Sequence, residues 1–186
     1  MTTGIQSRAP LKLSATENRA IMDLLAVVWP PTDMASTEEP VAAFCEARQR
    51  QGSSKARCFY VRRDDGMIAF ALVFPLVVSA GPTDLPVWGL GNVCTHPDHR
   101  GHGWARKVLK AAFAHVDESP TPLCLFQTGI LEFYEKLGAR KVSNRFINSK
   151  APERGDASPW WSPHIMIYPA SAAWPEGTID LNGPGF

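Results

Sequence analysis

The chain has no excess of charge of either sign. Its 19 Lys and Arg nearly cancel its 18 Asp and Glu, for a net charge of +1. That balance excludes a broad electrostatic footprint, so neither nucleic acid nor an anionic membrane is expected as a partner, and any basic patch must be local. Cysteine is sparse as well. Cys45, Cys58, Cys94 and Cys124 are scattered through apolar neighbourhoods with no Cys-x-x-Cys pair. This argues against a disulfide framework and for reduced thiols packed as small hydrophobes, as expected of a cytoplasmic protein. No basic start leads into an apolar run, so no secretory signal is expected. No apolar run reaches the ~20 residues of a membrane span. Internal repeats, low-complexity tracts and a linker that would split the chain are also missing.

What is present is ordinary for a globular protein. The chain has 186 residues, 45% hydrophobic and 20% charged, enough for one domain with a sizeable core. Leu11 to Leu13 reads as a first strand after a loose tail. Ser14 with Glu17 makes a capping box, and Ile21, Leu24, Leu25 and Val28 follow at helical spacing until Pro30-Pro31. A second helix is expected over Thr37 to Gln51. Cys58 to Arg63, Met67 to Val78 and Leu85 to Thr95 read as strands. Asp64-Asp65-Gly66 is a hairpin signal, Pro75 marks a bulge or bend, and Gly89 and Gly91 mark a bulge or a close backbone approach.

The stretch Gly91 to Leu109 organises the rest. Val93 to Thr95 ends a strand at Pro97. A loop with Arg100, Gly101 and Gly103 follows. Then Ala105, Val108, Leu109, Ala112, Phe113 and Val116 recur at helical spacing. The first amides of a helix lack intrahelical partners and carry partial positive charge, and glycines let backbone approach a ligand. Such an arrangement holds a diphosphate, with charge added by Arg100 and by Arg106 or Lys107. The spacing matches neither Gly-x-x-x-x-Gly-Lys-Ser/Thr nor the three-glycine dinucleotide fingerprint.

Arg100-x-x-Gly103-x-Ala105, after a strand and opening a helix, resembles the acetyl-CoA signature of the GNAT superfamily of N-acyltransferases. Leu123 to Phe126 reads as a short buried strand, parallel to the preceding one because a helix of crossover length separates them. Ile130, Phe133, Tyr134 and Leu137 give another helical face, and Gly138 caps its end. Phe133-Tyr134-Glu135-Lys136-Leu137-Gly138, with basic residues after it, resembles that family's second signature. The two together cover roughly Gly91 to Val142. The resemblance implies an α/β fold: a mixed, mostly antiparallel sheet of about seven strands, helices on both faces, and strands 4 and 5 parallel and splayed. Residues 1–186 would form a single acyltransferase domain. Acetyl-CoA would be the acyl donor, and a small-molecule or peptide amine the acceptor. Arg100, Gly101, His102, Gly103, Trp104 and Ala105 would hold the CoA diphosphate. The backbone of Val93 and Thr95 would pair with the pantetheine arm. Tyr134 would protonate the leaving thiolate, since the reference pKa values of a phenol and a thiol, about 10 and 8.5, are close. The plain alternative for Tyr134 is a core aromatic with a satisfied hydroxyl.

The remaining readings are less complete. Where the family often has an asparagine touching the cofactor, this chain has Gln127. No carboxylate lies between Leu85 and Thr95 to serve as base, which leaves Asp180, His164 and the Phe186 carboxylate. His96, His99 and His102 straddle the loop and are read as loop histidines, His102 as filler, with no metal site expected. Phe146 to Asn148 and His164 to Tyr168 read as two closing strands. The segment Trp174 to Phe186 resembles the tail of a GNAT subgroup that includes the rhizobial nodulation acyltransferase A and, more loosely, the aminoglycoside 2′-N-acetyltransferases. It would wall the acceptor pocket or act as a structural clasp. A non-catalytic acyl-CoA sensor and an enzyme for longer acyl chains stay open as alternatives, as does a homodimer.

Overall fold

A computed structural model describes residues 4–30, 55–63, 66–151 and 158–186. The expected helix over Thr37 to Gln51 lies outside the described residues, as do Asp64 and Asp65. The chain forms two compact units, one within 1–74 and 91–115, the other within 75–90 and 116–186.

In the first unit, β1 (Gln6–Arg8), β2 (Arg57–Arg63) and the first half of β3 (Gly66–Ala80) pair antiparallel in that order. The first strand is not Leu11 to Leu13. Those residues fall in a 3-10 turn over Pro10–Lys12 and just after it, and the strand lies earlier. It was illegible because Gln6, Ser7 and Arg8 are all exposed and polar, and only pairing with Tyr60, Phe59 and Cys58 makes them a strand. Helix α1 (Ala15–Val28) starts at the expected capping box. The Glu17 amide donates to Ser14 Oγ, and the Glu17 side chain accepts from the Ser14 amide. Arg63 pairs with Gly66, so β2 and β3 close a hairpin across the two intervening positions. The register shift in this ladder falls between Val61 and Arg62.

This unit places helices on both faces of its sheet. Neighbouring strand residues point to opposite faces. Tyr60 bonds Glu17 of α1, while Phe59 packs against His115 of α2 (Trp104–Asp117), with ring centroids 5.8 Å apart. Val108, Leu109, Ala112 and Phe113 form the buried stripe of α2, at the spacing its sequence shows.

In the second unit the strand order is β3, β4 (Thr83–Thr95), β5 (Cys124–Thr128), β8 (His164–Tyr168), β6 (Arg140–Val142). β4 and β5 are parallel, as a helical crossover between them requires. Their register covers Trp88↔Cys124 and Gly89↔Leu125 only, whereas β5 pairs along its whole length with β8. β7 (Arg145–Ile147) pairs in parallel with β9 (Thr178–Asp180), which also pairs antiparallel with Ser79 and Ala80 of β3. The described residues thus hold nine strands rather than about seven. The extra ones are three-residue pieces too short to show a period.

The Trp174 to Phe186 segment is built into this second unit. Asn144 accepts from Trp174 Nε1 at 2.7 Å and donates to the carbonyls of Pro175 and Gly177. Asn182, at φ +52°, donates to the Val77 carbonyl and to Ser79 Oγ. Phe186 stacks edge-on against Trp160, with centroids 4.9 Å apart. A Cβ on Gly185 would stand 2.2 Å from the Pro159 carbonyl oxygen, so only glycine fits there.

Candidate functional site

The glycine loop lies in the first unit. β4 ends at Thr95, and the His96 amide still donates to the Ile68 carbonyl at 2.8 Å. Pro97–His99 makes one 3-10 turn. Gly101 and Gly103 then take φ values of +79° and +74°, the left-handed region that other residues enter at a cost. The space beside each is open. Glycine is required here by backbone conformation. The Gly103 carbonyl accepts from the Lys107 amide at 3.1 Å, so Gly103 caps α2 with no side chain over the helix start. The amides of Trp104, Ala105 and Arg106 therefore have no intrahelical acceptor.

His102 is more than filler. Its Nδ1 lies 2.8 Å from the Arg100 carbonyl and 3.3 Å from that of His99. Carbonyls only accept, so Nδ1 carries the proton and donates. The ring staples the loop back on itself. Only the folded loop brings those carbonyls to it, so sequence spacing gave no sign. His96 instead uses Nδ1 to accept from the Asp98 amide at 3.3 Å. Among the described residues, no three His, Cys, Asp or Glu side chains gather as a metal site.

Within β4, Asn92 takes φ +55°, whereas Gly89 and Gly91 stay outside the positive-φ region. Asparagine tolerates the left-handed region better than most side chains. Val93 and Thr95 are half-buried, and Thr95 Oγ1 is buried with no hydrogen-bond partner among the described residues. Arg100 Nε reaches the Thr95 carbonyl at 3.4 Å. Burial pushes the Cys94 thiol up to about 12, against smaller lowering effects of the Phe70 backbone and Arg100. It stays protonated at neutral pH and is no nucleophile. Burial pushes the Cys124 thiol up too.

Tyr134 lies in the second unit, on the single short turn of α3 (Leu131–Glu135). Gly138, at φ +89°, ends this segment as its sequence indicated. Ile130 was expected on the apolar face and is instead 59% exposed, because the helix starts after it. The Tyr134 ring is 5% exposed, against Phe126 at 4.7 Å and Phe133 at 5.2 Å. Its hydroxyl makes no hydrogen bond to any described residue, unlike a structural tyrosine such as Tyr60, whose hydroxyl is engaged. Burial, then the neighbouring Cys124, push its pKa up, so the phenol holds its proton at neutral pH.

Gln127 is engaged through both its amide nitrogen and its amide oxygen. Its Nε2 donates to the Phe186 carbonyl at 2.8 Å, and its Oε1 accepts from the amides of Trp161 and Ser162 at 3.0 and 2.8 Å. It anchors the last segment of the chain. Asp180 is similarly engaged. Burial would raise it, but the Ser149 side chain, the amides of Asn182 and Ser149 and the charge of Lys150 outweigh burial and hold it low. His164 Nδ1 is buried without a hydrogen-bond partner among the described residues, on the strand residue paired with Thr128.

The model of the acetyltransferase (GNAT) domain matches residues 11–142 of this chain. The chain belongs to the GNAT family. A GNAT acetyltransferase from Brucella melitensis, solved in complex with acetyl-CoA, is 15% identical, covers 96% of each chain and superposes with a TM-score of 0.59. Escherichia coli ElaA is also 15% identical, over 88% of this GNAT chain and 96% of its own, with a TM-score of 0.58. A GCN5-related N-acetyltransferase from Kribbella flavida is 13% identical over 73% of this chain, with a TM-score of 0.55. This chain spans about a third, 32%, of that larger protein. No curated protein matches the sequence. At these identities the likeness establishes the GNAT fold. Among the described residues, no helix is long and apolar enough to cross a membrane.

Proposed function

We propose that this GNAT chain is a single-domain N-acetyltransferase that moves an acetyl group from acetyl-CoA to the primary amine of a small molecule or peptide. The observation that carries this reading is the loop: two glycines at positive φ leading into a helix whose first three amides have no intrahelical acceptor. Arg100, Gly101, His102, Gly103, Trp104 and Ala105 would bind the diphosphate, and the backbone of Val93 and Thr95 the pantetheine arm.

The amine nitrogen attacks the thioester carbonyl, the C–N bond forms, and the C–S bond breaks. The ammonium proton leaves to water or a base, and the CoA thiolate takes a proton from the Tyr134 hydroxyl, which is then reprotonated from solvent. Burial raises the phenol, which opposes the transfer. It disfavours a desolvated thiolate in the same way, so the two pKa values move together. Direct attack is favoured over a cysteine acyl-enzyme because the Cys94 and Cys124 thiols are held protonated. The three described cysteines, Cys58, Cys94 and Cys124, are buried and outside any disulfide, in keeping with a cytoplasmic enzyme.

A second reading, a non-catalytic acyl-CoA sensor, draws support from the engaged Asp180 and the lack of a carboxylate between Leu85 and Thr95. Thiol release from acetyl-CoA, followed across a panel of primary amines, separates the two. Amine-dependent release supports the enzyme, and intact binding without release supports the sensor. Preference for a long acyl-CoA over acetyl-CoA would reassign the donor.

A further inference from the structure

Trp104, the first residue of α2, has two cations against its ring. Lys107 Nζ lies 4.2 Å from the indole centroid and Arg63 Cζ 5.7 Å from it. Lys107 is three residues along the same helix, where side chains share a face. Arg63 comes from another element, the last residue of β2. Both distances run to one ring, so the two charges stand within roughly a Debye length, ~8–10 Å, of each other. Among the described residues, no carboxylate pairs with either of them. Elsewhere in the same unit, Arg8 is paired with Glu17 and Arg19 with Asp23. The indole orients both cations without neutralising them. Two like charges gathered in this way suit an anion that joins them.

The cluster stands on the turn whose amides are assigned the diphosphate. An acyl-CoA carries one further anion, the phosphate monoester on its ribose 3′ position, with a charge of about −1.5 to −2 at neutral pH. We propose that Arg63 and Lys107, oriented by Trp104, recognise this 3′-phosphate and select CoA thioesters over their 3′-dephospho counterparts. The proposal rests on the acyl-CoA reading of the loop. Arg63 offers a planar fork that fits two phosphate oxygens, and Lys107 a compact point charge. The chain is otherwise nearly neutral, so this selectivity comes from placement rather than from net charge.

Titration calorimetry with acetyl-CoA and with acetyl-3′-dephospho-CoA, on the full chain and its Arg63→Gln and Lys107→Gln variants, tests this. Both side chains are exposed, so both variants are expected to fold. The unmodified chain should bind acetyl-CoA about tenfold or more tighter than the dephospho form, as expected for charge-assisted hydrogen bonds. Arg63→Gln should lose most of that preference while binding the dephospho form as before, and Lys107→Gln should narrow it. Equal binding of both thioesters by the unmodified chain would overturn the proposal and leave the loop reading standing. So would a preference that survives both substitutions. Binding of neither thioester would overturn the acyl-CoA reading itself.

Discussion

The Tyr60 hydroxyl donates to Glu17 Oε1 at 2.5 Å, joining β2 to α1 in the first unit. Arg8 Nε lies 2.9 Å from the same oxygen, which brings β1 into the same bond network. Glu17 is only 7% exposed. Burial would raise its pKa, but Tyr60, the Ser14 amide and hydroxyl, and Arg8 outweigh burial and hold it at about 2, below its ordinary 4.5. Tyr60 is pushed up to about 12 by burial and by Glu17, against its ordinary 10.

The sign of the acid dependence follows. A carboxylate lowered by folding contributes stability that is complete above its unfolded pKa and is lost as pH falls from about 4.5 toward 2. A phenol raised by folding contributes stability that is lost as pH rises from about 10 to 12. Denaturant midpoints measured at pH 7 and pH 3 should differ, the latter being lower. Glu17→Gln should reduce that difference and cost about 1–3 kcal/mol at pH 7, because Tyr60 and Arg8 lose a charged partner. Matching midpoints for variant and parent at pH 7 would contradict this.

Replacing Tyr134 by phenylalanine removes one unbonded hydroxyl from a buried ring. Stability should hardly change. Turnover should fall about tenfold or more, the contribution of a positioned general acid. Steady-state kinetics beside a direct affinity measurement check this, with CoA affinity nearly constant. Unchanged turnover removes Tyr134 from the mechanism.

Gly103→Val places a β-branched residue at φ +74°. A Cβ there meets no described atom within 4 Å, so the expected damage comes from strain in the loop and from apolar bulk beside the helix-start amides. Acetyl-CoA at 100 times its dissociation constant should stabilise the parent by about 2.7 kcal/mol. A thermal melt of the variant should show no such gain. An equal gain would count against the loop.

Gly185→Ala tests the clasp. A methyl group 2.2 Å from the Pro159 carbonyl oxygen forces the backbone apart. A loss of about 1–3 kcal/mol is expected, the usual cost of overpacking. Melting at the parent temperature would mean that the last segment contributes little to folding.

Much of this was legible wherever a local rule acts alone. Ser14 and Glu17 announced α1, and Gly138 announced the end of α3, because caps and positive φ are decided within a few residues. The parallel β4–β5 pair followed from a crossover helix. Other features depended on distant partners. Gln6 to Arg8 carry no apolar signal, and Gln127 gave no hint that it holds Phe186, 59 residues away. Glu17 was read only as a cap, since nothing nearby in the chain showed that Tyr60 would meet its other oxygen. At the loop, the glycines were readable, while the His102 staple and the left-handed Asn92 required coordinates.

Calorimetric titration of acetyl-CoA into the unmodified chain probes the central claim most directly. One saturable site per chain is expected, with a dissociation constant in the range of about 1 μM to 1 mM common for enzyme substrates. A titration showing no saturable binding at millimolar acetyl-CoA would contradict it.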